Sequence, residues 1–544
     1  MPTVGPFRAS DDVRITTSIQ DIIFGIQVPS HLLDLNIKVI STFSTMSLAS
    51  LPDEVLKLVL HHVPLNDRIS SCCLVNQRLH AAALAATQQV VLGHYTELLS
   101  NQREDCFRAW MEPYGQNLTR LQLRCFSEPL QQLACPNLLH LQLWKCSVQL
   151  GPAADGHPGV IQGCTKLIYL DVSCRVIDVP EGAVLAPALD SLSSLVHLQH
   201  LHVLAWDVQY DSYQPLVGLS INTLPRLTKL TSLEVHNLSF ENLAQLGGLT
   251  NLQELYLPGA ADDICVGPIS VPGMVLPASL TKLALRLPVE AGILSVAPAE
   301  LKDLQLCGSG PRSCVVQGPA EGPGSLFAYL SGLKHLVRLW LDLEDCWPPA
   351  GPAYSAVTAS SNLVSLYMSQ NYMSQNKLPQ GVWPHVFPAS RTLLHLTSLS
   401  LVDYPDAFSG LPATWTAEDL CCLVGCCPNL CELSGATVEH GRHVSNLGKL
   451  TGLASVGVMY ADGGKDVLQD SMGWLATVTQ LQDLTVTLED QDVSVACLLA
   501  LTSLTGLNKL SCNFQDEFDE KEWLCDLKTQ VRRPALVCLR KALI

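Results

Sequence analysis

From Leu118 almost to the last residue, apolar positions recur in one short pattern, Leu-x-x-Leu-x-Leu. The clearest copies are Leu118-Thr-Arg-Leu121-Gln-Leu123, Leu138-Leu-His-Leu141-Gln-Leu143, Leu252-Gln-Glu-Leu255-Tyr-Leu257 and Leu301-Lys-Asp-Leu304-Gln-Leu306. Close variants start at Leu167, Leu198, Leu230, Leu280, Leu336, Leu363, Leu396, Leu430, Leu453, Leu481 and Leu507. That makes fifteen copies, on average about 28 residues apart. The alternating Leu-x-Leu predicts a short strand with one face inward, and the leucine three residues earlier fills the same core from the turn that enters it. Between strands each unit returns through a helix or irregular segment, as at 242–249 and 417–424. A single unit cannot bury its own apolar face, so the units must stack, and stacking builds a parallel sheet on the concave side of a solenoid.

Several strands are preceded by Cys-Pro-Asn-Leu or a relative of it: Cys135-Pro136-Asn137-Leu138, Cys164-Thr165-Lys166-Leu167 and Cys427-Pro428-Asn429-Leu430. A small apolar thiol closing the return segment, followed by a proline that stops it, serves the turn into the strand. With the spacing, this resembles the cysteine-containing, ribonuclease-inhibitor-like class of leucine-rich repeats. The expected fold is an α/β solenoid, a leucine-rich-repeat horseshoe with a parallel concave sheet. Gaps between copies run from 20 to 35 residues, and the Pro/Gly-rich inserts at Gly308–Gly324, Pro258–Ser279 and Trp347–Gly351 are expected as loops at the rim.

Upstream the period changes. Ser50 can cap a helix entered through Pro52, with Asp53 and Glu54 in its first turn and Val55, Leu56, Val59 and Val63 on one face. Pro64 stops it, and helical patterns over 67–75 and 78–86 follow after short breaks. Three short helices in about 40 residues make a small core, which leaves an apolar face for a partner or for the first repeat. Leu51-Pro52-x-Glu54-x-Leu56, Val63-Pro64-Leu65-x-Asp67 and Cys73-Leu74-Val75-Asn76-Gln77-Arg78-Leu79 together resemble an F-box over residues 48–88. Asn76 and Leu79 stand where that family usually has Cys and Trp. The resemblance implies a three-helix F-box that joins a Skp-family adaptor, and through it a cullin and a RING protein. Carried over one by one, it implicates Leu51, Pro52, Leu56, Val63, Leu74 and Val75 in the adaptor contact.

The resulting division is an unassigned N-terminal extension over 1–45, the F-box over 46–92, a linker or capping helix over 93–117, repeats over 118–514 and a C-terminal cap over 515–544. The cap reading rests on charge: 516–526 is acidic, and from Leu527 onward the chain holds only basic charges.

Composition narrows the function classes. There are 95 leucines, 48% of residues are hydrophobic and only 15% are charged. Polar residues interrupt every apolar run before a membrane-spanning length is reached, so no membrane contact is expected. The net charge of −17 opposes contact with phosphate backbones and anionic lipid, so nucleic acid is not expected either. Asp11, Asp12 and Arg14 stand where a secretory signal needs an apolar stretch, and 21 cysteines in a chain this long are too few for a disulfide scaffold. A reducing compartment, cytoplasmic or nuclear, with free and mostly buried thiols is expected.

Motif positions three, five and seven point away from the leucine core and line the concave face. In the first ten repeats they carry large aromatic and charged groups, among them His140, Asp171, His200, His202, Glu234 and His236. From Leu396 they shrink to Ser398, Ser400, Ser434, Ala436, Ser455 and Gly457. Trp, Tyr and Arg dominate binding hot spots, at about 2 kcal/mol or more each. Trp144, Tyr169, Tyr256, Arg338, Trp340 and Tyr367 are therefore the candidate substrate contacts, with Trp340 and Tyr367 expected to form one patch on neighbouring strands. The cysteines at 421, 422, 426, 427 and 431 fit buried repeat positions better than a closed zinc site. His440/His443 and His200/His202 have no acidic or thiol partner fixed nearby along the chain, so no metal or other cofactor is expected. No nucleotide-binding loop, nucleophile elbow or zinc-protease helix is present, which points away from catalysis. The expected role is a non-catalytic substrate receptor of a Skp/cullin/F-box ubiquitin ligase. The alternatives are a ligase-independent interaction scaffold, cytoskeletal or ciliary, and a receptor of this architecture gated by a small molecule.

Overall fold

The computed structural model describes Lys57 and residues 87–92, 101–125, 130, 133, 135–148, 160–161, 163–176, 190–206, 224–236, 245–258, 275–285, 289–307, 316–317, 325–342, 347, 351–370, 378, 381–403, 415–438, 441–460, 472–488 and 500–514. The F-box-like helices, their six adaptor positions, the 1–45 extension and the 515–544 cap lie outside the described residues.

Within them the leucine motif becomes a ladder. Its strands are β1 (Gln89–Leu92), β2 (Arg120–Arg124), β3 (His140–Val148), β4 (Tyr169–Val176), β5 (His200–Trp206), β6 (Ser232–Val235), β7 (Glu254–Leu257) and β8 (Lys282–Leu285). After a short β9 (Val289–Glu290) come β10 (Asp303–Cys307), a short β11 (Val316–Gln317), β12 (Arg338–Asp342), β13 (Ser365–Gln370) and β14 (Ser398–Asp403). The series ends with β15 (Glu432–Val438), β16 (Ser455–Tyr460), β17 (Asp483–Leu488) and β18 (Lys509–Phe514). All but β9 and β11 form one 16-stranded sheet in chain order, and every pairing is parallel. The motif leucines share one register: Leu121 faces Leu141, Leu141 faces Leu170, and Leu304 faces Leu339. This is a leucine-rich-repeat solenoid, and one continuous core runs from Val90 to Leu510.

Entry into each strand follows a period of three. In Leu246-Gly-Gly-Leu249-Thr-Asn-Leu252, the Leu249 amide donates to the Leu246 carbonyl and the Leu252 amide to the Leu249 carbonyl, each at 2.9 Å. The same pair of bonds recurs at Leu192/Leu195/Leu198, Leu447/Leu450/Leu453 and Leu501/Leu504/Leu507. Bonds from i+3 to i place successive leucines on one side, so all three enter the core before the strand begins. Many return segments, expected as helical or irregular, are therefore 3-10 turns, such as Asp190–Ser194 and Leu224–Arg226. A full α-helix, α4 (Ala417–Cys426), forms after α1 (Asn101–Tyr114), α2 (Leu326–Leu330) and α3 (Trp383–Val386). It has the cap to sustain it: Thr416 accepts from the Asp419 amide, and Asp419 accepts from the Thr416 amide.

Asparagines before the strand leucine tie repeats together. Asn137, Asn251 and Asn429 each donate from Nδ2 to a carbonyl of the preceding unit, Gln116, Thr228 and Leu394, at 2.7–2.8 Å. These carbonyls lie at turns, where no strand amide reaches them.

Two boundaries differ from the sequence reading. The sheet begins at β1, inside the stretch assigned to the tail of the F-box and ahead of the first motif at Leu118. Gln-Val-Val-Leu has no Leu-x-Leu, yet Val90 points inward and Val91 outward, and the Gln88 carbonyl accepts both the Thr119 and Arg120 amides as a repeat would. Trp347, expected in a rim loop, is buried instead. It stacks on Tyr354 at 5.9 Å and lies against Phe327, so this insert supplies core to the convex side.

The cysteines divide by position. Cys135, Cys164, Cys426 and Cys427 are buried, whereas Cys421 is exposed and Cys422 and Cys431 are only partly covered. The expectation of buried thiols throughout 421–431 therefore holds for two of the five, Cys426 and Cys427. Cys421 falls on the outer face of α4, four residues before a glycine rather than a leucine.

Candidate functional site

Parallel, in-register pairing turns the outward motif positions into continuous rows across the concave face. The position-three row runs Arg120, His140, Tyr169, His200, Ser232, Glu254, Lys282, Asp303, Arg338. The position-five row carries Asp171, His202, Glu234 and Tyr256, and further on Gln305, Trp340 and Tyr367. Neighbours within a row sit one strand spacing apart, about 4.8 Å.

The six candidate contact residues do not converge on one spot. Trp340 and Tyr367 do meet: their rings stack with centroids 3.7 Å apart and 27° between planes. Trp340 is 37% exposed, so this patch faces the groove. Arg338 beside it donates to Asp303 at 2.8 Å, its own side chain 64% exposed over a carboxylate that is only 6% exposed. Tyr169 lies six strands away, roughly 30 Å along the sheet. Its ring sits between His140 and His200, 5.9 Å from each. Trp144 belongs to that end as well, with the Lys145 ammonium 5.1 Å and the Arg124 guanidinium 6.0 Å from its ring.

Tyr256 stands between the two ends. It lines a hollow of about 350 Å³ whose polar walls are Ser232, Glu234, Glu254, Lys282 and Gln305. The face thus has three stations, an aromatic-histidine end, a polar hollow and the Trp340/Tyr367 stack.

Between the first two stations the structure assembles a polar chain that spacing along the sequence conceals. Gln142 Nε2 lies 3.4 Å from the Tyr169 hydroxyl and 3.3 Å from Asp171 Oδ2. Asp171 Oδ1 is 2.9 Å from His202 Nδ1, and His202 Nε2 is 3.5 Å from Glu234 Oε1, which His236 Nε2 approaches to 4.0 Å. Along the chain no acidic partner of His202 is fixed nearby. In the fold it has two, each about one repeat away along the chain and one strand away in space. The signal that would have found them is the row itself: position five of consecutive motifs reads Asp, His, Glu.

Titration follows this geometry. Burial alone would lower the pKa of His202, but the hydrogen bond it donates to Asp171 and the charges of Glu234 and Asp171 outweigh it and raise it above the usual imidazole range. His140 moves the other way, lowered by burial and by the neighbouring Arg120 and His200. The Tyr169 hydroxyl is raised by burial and by the charge of Asp171.

No protein-family model matches the chain, and no curated protein matches it. Two solved structures from Listeria monocytogenes are similar in outline. One is an internalin, inlF, 15% identical over 87% of this chain and 100% of that one, with a TM-score of 0.36. The other is the functional domain of InlJ, described as including a cysteine ladder, 12% identical over 79% of this chain and 74% of that one, with a TM-score of 0.35. The assignment of the fold rests on the ladder of repeats described above.

Proposed function

We propose that the chain is a protein-recognition subunit that holds its partner on the concave face of the solenoid. One observation carries this reading: the exposed Trp340–Tyr367 stack beside the Arg338–Asp303 pair, at the end of a position-five row that continues only as Ser400, Ser434, Gly457, Thr485 and Ser511. Core leucines suffice to build repeats, and neighbouring repeats stack with serine at the same position, so the aromatic pair is not needed to form the sheet. They supply instead the area and directed polar groups on which protein interfaces depend. Among the described residues no helix is long and apolar enough to cross a membrane.

The F-box-like segment over 48–88 extends the proposal. Joined to a Skp-family adaptor through Leu51, Pro52, Leu56, Val63, Leu74 and Val75, the chain becomes the substrate receptor of a Skp/cullin/F-box ubiquitin ligase. It acts in the cytoplasm or nucleus and contributes position rather than bond chemistry. Holding a target lysine near a charged ubiquitin carrier raises effective concentration, which is the whole of the receptor's contribution to rate. Co-purification of the full chain with a Skp-family adaptor, beside the double variant Leu51→Ala/Pro52→Ala, tests this step. Adaptor bound by the parent and lost by the variant supports the ligase; a folded parent that binds no adaptor leaves a ligase-independent scaffold.

A further inference from the structure

The Asp171/His202/Glu234/His236 group has no part in the leucine core, and a protein-binding groove does not require it. Its donor atoms are nevertheless arranged as ligands. One imidazole nitrogen from each of His202 and His236 and one oxygen of Glu234 lie within 4.8 Å of one another. Donors around a tetrahedral zinc ion, with bonds of about 2.0–2.1 Å, stand about 3.4 Å apart. Here Glu234 Oε1 is 3.5 Å from His202 Nε2 and 4.0 Å from His236 Nε2, and no two of the three donors stand more than 4.8 Å apart, so closure needs shifts of at most about 1.5 Å.

The surroundings are those of a supported site. Asp171 accepts from His202 Nδ1 at 2.9 Å, which turns the Nε2 lone pair toward Glu234, and Gln142 holds the other Asp171 oxygen. Carboxylate-to-histidine bonds of this kind fix the tautomer and orientation of metal-binding imidazoles. The His236 backbone is pinned by its amide to the Val203 carbonyl at 3.0 Å, and Glu234 is set by the β5–β6 register. Two imidazoles and a carboxylate suit first-row divalent ions, and imidazole with carboxylate is a common zinc set.

From this geometry we infer that His202, Glu234 and His236 form a zinc site on the concave face, with Asp171 positioning His202. Three protein ligands leave a fourth position for water or for a donor atom from whatever occupies the groove. Glu234 also lines the Tyr256/Lys282 hollow, so the ion would sit at its edge. The site stands independently of adaptor binding.

The test is titration of the metal-free, reduced full chain with Co²⁺, followed by competition with Zn²⁺, read by visible absorption. One ion per chain is expected, with bands of nitrogen/oxygen coordination and no near-ultraviolet thiolate charge transfer. His202→Ala and His236→Ala should each abolish the bands. Asp171→Asn should weaken affinity by roughly 10- to 100-fold while keeping them. Both histidines lie on the half-exposed concave face, so these variants should fold, and the Cys421→Ser/Cys431→Ser variant serves as the thiol control. Absence of Co²⁺ bands, bands that survive both histidine substitutions, or thiolate bands removed by the cysteine variant would overturn the inference and leave a hydrogen-bonded chain.

Discussion

Cys135 and Cys164 show what one position of the repeat demands. Both are fully buried at the turn before a strand, and burial pushes each thiol from its ordinary 9.0 up to about 12. A thiol whose pKa rises on folding favours the native state below the unfolded pKa, and that contribution is lost as pH climbs toward the folded value. The urea midpoint should therefore hold to about pH 9 and fall steadily above it. The same burial predicts alkylation order. Among the described cysteines, a thiol reagent should modify Cys421 first and leave Cys135 and Cys164 unreacted until the chain unfolds, as peptide mass spectrometry would show. Gly435 is a different constraint. It sits at φ +71° where the β15–β16 register shifts, and a Cβ there would run into the Leu401 carbonyl. Gly435→Ala should destabilise by about 2 kcal/mol or more, measured by denaturant midpoint. Nothing in Ser-Gly-Ala announces this, because the bulge arises from pairing with the neighbouring strand.

At the scale of the element, the strand is the legible part. Leu-x-Leu marks the inward face directly, and every one of the fifteen motifs lies at a strand of the sheet. The return segments were less legible because a period of three and a period of 3.6 both place leucines inward over one or two turns; the 3-10 form wins where the segment is too short to nucleate a helix. β1 is not marked by the motif because Val90 stands beside Leu121, leaving Val-x-Leu in place of Leu-x-Leu. The asparagine rungs are predicted to be worth about 1 kcal/mol each, since removing one leaves a carbonyl of the previous turn without its partner. Asn251→Ala should lower stability by that amount, and Asn251→Asp should not restore it, because a carboxylate cannot donate to Thr228. Chemical denaturation of the three proteins checks both.

For the whole molecule, a solenoid ties each unit only to its neighbours. Leu255→Ala removes a fully buried side chain from the middle of the array and should cost about 2–5 kcal/mol. Hydrogen exchange should quicken in β6, β7 and β8 while the amides of β16–β18 keep their protection. The concave face was legible row by row but not as a site. Position rules name the large aromatic and charged groups of the described strands but pass over Gln142, Ser232 and Gln305, and the Trp340–Tyr367 contact follows from two neighbouring copies of position five. The distribution into three stations, and the carboxylates on either side of His202, depend on which repeats stand side by side, a relation that the long gaps between motifs hide.

In the proposed function the groove selects a protein and the 48–88 segment delivers it to a ligase. The most direct measurement is quantitative proximity labelling with the proteasome blocked, comparing the parent chain with Trp340→Ala/Tyr367→Ala and with Leu51→Ala/Pro52→Ala. Expected is a set of proteins labelled by the parent, lost at least several-fold from the groove variant, and retained by the variant that cannot reach the adaptor, which loses the adaptor itself from its labelled set. Partners that are unchanged by the groove substitution would contradict this function.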